Sequence, residues 1–410
     1  MKKKNYKSIF IVSDSYVPQK ISAAGMVYNL SKELASRRIE VTCVVSADVT
    51  KDFKKKYHCE EIKFISTILF EKLRNKSLIS RFLYEILTAL TLALKVYFFT
   101  NKKKSIDLII WYGPSVFYWL VVWVLNFKKN IPVYYILRDI FPDWLVTLNV
   151  VKNPLIIWFL RLVSVPQYRV SNIIGLETLQ NVHYLQNKLS IKKKIEVLYN
   201  WPNIVKQINI NLDQKIVNSF NDFIKKNKDN KIVNYLYLGN ASVAHDYESF
   251  IKFLNLYNNQ LNLFNFEINI FGKYHSYIKS EKNEIKQRFW GDVPNYNVDF
   301  ILSNVDCGIV SLNRKALTHN IPGKFVSYTQ FKLPILCFAN INSPLAQLVL
   351  KYDCGIVIDL NNDPKKNWRK LSIFVRDFEK EKVYFSKKSY KLFRENFDTK
   401  LTANQILNAF

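Results

Sequence analysis

The feature of this chain that most limits its fold is a rhythm of short β-branched runs separated by stretches of helical spacing, broken once and then restarted. The first series comprises Ser8 to Ser13, Val41 to Ser46, Asp107 to Tyr112, Val133 to Leu137, Asn172 to Leu176 and Glu196 to Tyr199. Apolar runs alternating with helices read as parallel strands joined by crossover helices. Between the first two runs, Val27, Leu30, Leu34 and Ala35 fall on one helical face, with Lys32, Glu33, Arg37 and Arg38 opposite, so Ser8 to Ser46 forms a βαβ module.

A polar stretch, Gln207 to Lys231, interrupts the rhythm before Ile232 to Leu238, Phe266 to Phe271, Val305 to Val310, Pro334 to Phe338 and Gly355 to Ile358 resume it. A length of 410 residues exceeds what one core organises. The expectation is an α/β chain of two Rossmann-like, doubly wound parallel-sheet domains facing a cleft. They span 1–200 and 201–385, with a helical tail over 386–410. Ligands of such sheets bind at the carboxyl ends of the strands.

Lys and Arg number 60 against 33 Asp and Glu, a net charge of +27. Clusters lie at Lys2 to Lys4, Lys51 to Lys56, Lys102 to Lys104 and Lys192 to Lys194. Such a field attracts an anionic membrane face or phosphorylated substrates. Nucleic acid is not expected, because no zinc-finger spacing, aromatic RNA-binding motif or helix-turn-helix punctuation accompanies the charge. Phe82 to Phe99 is long and apolar, but Glu85 and Lys95 inside it argue for a buried or half-buried helix rather than a span. Val116 to Phe127 and Leu155 to Val165 are too short to cross. These aromatic-rich pieces suit a chain that docks on a membrane, and the start of the sequence carries no signal-peptide pattern. Cys43, Cys59, Cys307, Cys337 and Cys354 have no CxxC spacing and read as reduced core thiols.

Candidate site residues follow strands. Ser22 to Gly25 form a small-residue turn after the first strand, where a substrate can approach the backbone, though this is not a GxGxxG fingerprint. Arg138 and Asp139 follow Val133 to Leu137; Asp139 is positioned to orient an acceptor hydroxyl, and Arg138 either contacts a phosphate or braces the loop. Gly239 and Asn240 make a glycine turn after Ile232 to Leu238, and Gly272-Lys273 repeats it one strand on. The segment His319-Asn320-Ile321-Pro322-Gly323-Lys324 opens a helix. There Pro322 suits the first turn, Gly323 allows close approach, and Lys324 can join the free amides in holding a diphosphate. No hydrolase elbow, P-loop or zinc motif occurs.

Taken together, the Ser22 to Gly25 turn, Arg138-Asp139-Ile140-Phe141-Pro142, Gln167-Tyr168 with Ile174-Gly175, Leu198-Tyr199-Asn200-Trp201, Gly239-Asn240 and His319 to Phe325 with Ser327-Tyr328 resemble family-4 retaining glycosyltransferases of the GT-B fold. Within that family the chain is similar to bacterial O-antigen and capsule N-acetyl-L-fucosamine transferases. The resemblance implies transfer from a UDP-sugar, UDP-N-acetyl-L-fucosamine, to a polyprenyl-diphosphate-linked oligosaccharide at the inner face of the cytoplasmic membrane. It also implies no cofactor and no metal. Site residues carried over are Asp139, Lys324 and His319 for catalysis, Gly239, Asn240, Lys273, Asn320, Gly323 and Ser327 for the donor, and Ser22 and Arg138 for the acceptor. Most members carry two glutamates eight positions apart before a Gly-x-Pro; here His319 and Ser327 stand at those positions and Lys332 at the glycine. Two other readings remain open at this point. A UDP-sugar epimerase or hydrolase would consume donor without acceptor, and a non-catalytic membrane-surface protein would bind liposomes but no nucleotide.

Overall fold

The computed structural model describes the chain apart from residues 1–4, 20, 75–76, 101–104, 114, 128, 148–150, 205–213, 240–245, 262–265, 273–284, 292–297 and 314–319. The chain divides into two compact units, the first comprising Met1–Tyr199, Val205–Ile208 and Thr399–Phe410, the second Asn200–Ile204 and Asn209–Asp398.

The first unit runs β1 (Ser8–Ser13), α1 (Ser22–Ser36), β2 (Glu40–Val45), α2 (Lys51–Lys56), β3 (Lys63–Ser66), α3 (Leu78–Thr100), β4 (Leu108–Tyr112), α4 (Trp119–Asn126), β5 (Val133–Leu137), α5 (Asp143–Thr147), α6 (Pro154–Val170), β6 (Ile173–Leu176), α7 (Leu179–Lys188) and β7 (Lys194–Val197). Its seven strands lie in the order β3-β2-β1-β4-β5-β6-β7 and every pairing is parallel. Strands β1, β4 and β5 are buried along their whole length, because helices cover both faces of the sheet. Trp111 stacks on Tyr135 of the neighbouring strand at 4.0 Å between centroids, anchoring a core that includes Phe10, Val12, Ile109 and Leu137.

Helix α3 contains Phe82 to Phe99. It is long and apolar enough to cross a membrane by composition, yet Ala89, Leu92, Ala93 and Val96 lie in the core beside β1 and β4. Its other side leaves Leu90, Leu94, Tyr97 and Phe98 exposed. The half-buried helix expected from Glu85 and Lys95 is what the fold contains.

The second unit runs α8 (Gln214–Asp229), β8 (Val233–Leu238), α9 (Tyr247–Leu261), β9 (Phe266–Phe271), β10 (Lys286–Gly291), α10 (Val298–Asn304), β11 (Cys307–Ser311), α11 (Gly323–Gln330), β12 (Ile335–Phe338), α12 (Pro344–Tyr352), β13 (Gly355–Ile358) and α13 (Pro364–Asn396). Six parallel strands take the order β10-β9-β8-β11-β12-β13. Each sheet thus starts in its middle and is wound outward in both directions, the doubly wound arrangement expected.

The helical tail differs from the expected 386–410. Helix α13 begins at Pro364, after the Asp363 side chain caps Lys365 N, and continues unbroken through 386. It packs on α11, with Ser389 Oγ donating to Leu333 O at 2.8 Å. A further helix, α14 (Thr399–Leu407), belongs to the first unit, where it packs on α1 and Gln405 donates to Val197 O. All five cysteines are free and buried.

Candidate functional site: a lysine among strand-end glycines

In the second unit, three neighbouring strands end in glycines with left-handed backbone: Gly239 after β8, Gly272 after β9 and Gly291 closing β10, at φ of 110°, 139° and 82°. Gly239 N donates to Phe271 O and Gly272 N to Gly291 O, so the turns are tied to one another across the sheet edge. A Cβ on Gly272 would stand 2.5 Å from Gly239 O, closer than any side chain allows. Only glycine fits there, and Gly272 is buried between the half-buried Gly239 and Gly291.

Helix α11 delivers a lysine to this row. Pro322 caps the helix, Gly323 is its first residue and Asn320 stands exposed before it. Asn200 Nδ2 donates to Ile321 O at 3.3 Å, holding the approach to the helix. Lys324 then lies with its Nζ 3.5 Å from where a Gly239 Cβ would be and 3.9 Å from the centroid of the Tyr237 ring. The stem is half-buried, but the ammonium nitrogen is enclosed and has no hydrogen-bond partner among the described residues. Burial alone draws its pKa down to about 7.

Tyr328, one turn further along α11, fixes the position of the helix on the sheet. Its ring lies so close to Gly308 that a Cβ there would approach within 2.3 Å. Its hydroxyl accepts from Leu238 N at 2.8 Å and donates to Leu236 O at 3.1 Å. Through these bonds, the lysine-bearing helix and the glycine-bearing strand end keep one register. Ser327 is buried and its Oγ donates to Gly323 O within the helix. Lys332, where the resembling family has glycine, adopts φ 62°, the left-handed conformation that glycine takes at no steric cost. His319, Asn240 and Lys273 lie outside the described residues.

In the first unit, Arg138 and Asp139 follow β5. Arg138 is buried and its guanidinium donates to Leu198 O at 2.7 Å and Tyr199 O at 3.3 Å, bracing the segment after β7. These bonds tie the end of β5 to the segment after β7. Burial raises the pKa of the half-buried Asp139, Arg138 opposes the rise, and the negative charge of Asp14 adds to it. Ser22 is the first residue of α1 and is exposed. Sequence reasoning missed Tyr237 beside the lysine and Tyr118, and gave no site role to Tyr328 or Glu85. The signal for Glu85 was present, since a carboxylate inside an apolar helix requires a reason.

Solved structures match over nearly the whole chain. WaaG, a glycosyltransferase involved in lipopolysaccharide biosynthesis, aligns at 11% identity and a TM-score of 0.61 over 98% of this chain and 99% of that one. Sucrose-phosphate synthase from Thermosynechococcus elongatus aligns at 12% identity and 0.62 over 98% and 97%. A structure described as trehalose-6-phosphate from E. coli bound with UDP-2-fluoro glucose aligns at 11% and 0.62 over 98% and 99%.

The fold is GT-B.

No family model matches the chain, and no curated protein does. At 11–12% identity these GT-B likenesses establish architecture, and function has to be argued from the site itself.

Proposed function

We propose that this GT-B chain is a retaining glycosyltransferase that moves an amino-deoxy sugar, N-acetyl-L-fucosamine by resemblance, from a UDP-sugar to a polyprenyl-diphosphate-linked oligosaccharide in O-antigen or capsule synthesis. The single observation that supports it most is the enclosed Lys324 ammonium, unpaired among the described residues, beside Gly239 at the amino end of α11. A buried cation without a counter-ion is costly, and a diphosphate supplies the missing charge. Gly239, Gly323 and Asn320 offer backbone or amide groups to the same ligand, with His319, Asn240, Lys273 and Ser327 its further contacts.

In the reaction, the bond between the sugar's anomeric carbon and the β-phosphate oxygen breaks, a bond from that carbon to the acceptor oxygen forms on the same face, and the acceptor hydroxyl's proton passes to the departing β-phosphate oxygen. Negative charge grows on the departing UDP, where Lys324 and the helix-end amides stabilise it. Asp139, next to Arg138 at the end of β5, orients the acceptor hydroxyl, and Ser22 lies along the acceptor's path. Lysine and helix end do here the electrostatic work that a metal does elsewhere, and no cofactor enters.

The acceptor's lipid and the exposed apolar face of the first unit support the same placement. Helix α3 packs on α4 and α4 on α6, and along them Phe98, Trp123, Trp158 and Leu162 are exposed, Phe98 and Trp158 by 66% and 65%. A face of this kind beside a +27 charge suits a protein bound peripherally to the anionic inner face of the cytoplasmic membrane.

A thermal-shift screen of UDP-, GDP- and dTDP-sugars tests the donor: UDP-sugars are expected to raise the melting temperature. A rise only with GDP- or dTDP-sugars, or with none, contradicts it. Donor consumed at full rate with no acceptor would instead identify a hydrolase or epimerase.

A further inference from the structure

The strand order of the first unit reverses between β1 and β4, and their carboxyl ends are where a doubly wound sheet opens its binding crevice. Asp14 directly follows β1, and Ser115 lies three residues after β4. Two further elements bring charge to this edge. Helix α3 contributes Arg81, Tyr84 and Glu85, and the turn before it contributes Arg74. Ser115 Oγ donates to Glu85 Oε2 at 3.4 Å, and Arg81 Nε stands 3.4 Å from Glu85 Oε1. Ser15 Oγ donates to Asp14 Oδ1 at 2.8 Å. Tyr84 OH and Ser46 Oγ share a hydrogen bond of 2.7 Å, while Arg74 lies over the Tyr84 ring and reaches Gln19.

These contacts leave acceptor capacity open. A carboxylate offers about four lone-pair positions, and the bonds reaching Glu85 are long. Burial, then the neighbouring charge of Asp14, pushes the Glu85 pKa up to about 7 against the pull of Arg81. Burial likewise raises Asp14, with Ser15, Arg74 and Arg81 opposing.

An independent observation points into the same place. Tyr118, just after β4, is 1% exposed, and its hydroxyl has no hydrogen-bond partner among the described residues. Burial raises the pKa of that hydroxyl, Asp14, Tyr84 and Glu85 add to the rise, and Arg74 opposes it. Buried hydroxyls are ordinarily satisfied, so this one lacks a partner that a ligand can supply.

We propose that Asp14, Glu85 and Tyr118 form a subsite for the hydroxyl groups of an uncharged sugar ring at the β1–β4 switch point. Carboxylates accept hydrogen bonds from adjacent sugar hydroxyls, and Tyr118 completes the set. Open lone pairs on the two acids and a buried hydroxyl with donor and acceptor capacity suit a polyol, which both donates and accepts, better than a phosphate or a metal cation. The assignment of that ring as the acceptor sugar rests on the transferase reading above.

The test uses the full chain and saturation-transfer NMR with the octyl β-glycosides of glucose, galactose and N-acetylglucosamine, with UDP binding followed in the same samples. At least one glycoside is expected to bind, E85Q and D14N to weaken it about tenfold, and Y118F to weaken it severalfold, with UDP affinity unchanged. Melting curves confirm that each variant is folded, and D14N serves if E85Q is not. No glycoside binding to the wild type, or equal binding by folded variants, overturns the subsite. Binding of Mn2+ or Ca2+ that E85Q abolishes, without glycoside binding, overturns it in favour of a cation site. Glycoside binding lost in E85Q while UDP binds neither protein supports the subsite and overturns the transferase reading instead.

Discussion

The Lys324 ammonium sits 3.9 Å from the centre of the Tyr237 ring with no hydrogen-bond partner among the described residues. A cation over an aromatic face is worth roughly 0.5–2 kcal/mol, less than a buried lysine forfeits in hydration. The fold therefore holds a charge at a loss, as sites that await an anion do.

Replacing it should raise stability and remove donor binding together. Lys324 has a pKa lowered to about 7 in the folded chain from 10.5. The unfolded chain binds the extra proton between those values, so wild-type stability rises with pH across that window and carries the full cost below pH 7. K324M escapes this cost. It should be the more stable protein at pH 6, by on the order of 2–4 kcal/mol, with the gap narrowing by pH 9. Chemical denaturation at the two pH values measures it.

Donor affinity should itself depend on pH. A UDP-sugar keeps its diphosphate charge through the neutral range, so Lys324 supplies the titration. Binding the diphosphate favours the charged lysine and raises its pKa, so complex formation takes up a proton above pH 7. Affinity should be level below pH 7 and fall above it by up to about tenfold per pH unit. Calorimetry in buffers of different ionisation enthalpy will show proton uptake; its absence at pH 8 would speak against the lysine.

The glycine row should be unequally sensitive. G272A drives a Cβ to 2.5 Å from Gly239 O at φ 139° and should cost about 3 kcal/mol or more, with donor binding lost. G291A meets nothing within 4 Å and bears only the strain of φ 82°, about 1 kcal/mol. Urea unfolding of the two variants makes the comparison.

Acidic residues introduced on the exposed apolar face should separate membrane binding from folding. W158E with L162E alters residues exposed by 65% and 55%, so the melting temperature should move by no more than about 2 °C. Sedimentation with vesicles containing anionic lipid should fall at least tenfold.

Much of this was legible in the sequence where burial is two-sided. Strands β1, β4, β5, β8 and β11 are apolar along their length because helices cover both faces, and each stands out as a run. Two edge strands did not. β3, KFIS, and β10, KQRFWG, carry polar residues on an uncovered side and offered no run. β7 lies two residues before the Glu196 to Tyr199 expected, because its sequence KIEV is only half-buried. Within the site, Lys324 was readable because proline, glycine and lysine are contiguous at one helix start. The Asp14, Glu85 and Tyr118 cluster was not, since its members come from a strand end, a long helix and a turn far apart in sequence, and no local pattern reports their meeting.

The most direct measurement of the central claim is UDP release from a panel of UDP-sugars, with membrane lipid extract as acceptor source, by the wild type and K324M side by side. The account predicts UDP release by the wild type that depends on the extract, and a loss of about 100- to 1,000-fold in a folded K324M. Release by K324M at the wild-type rate would contradict it.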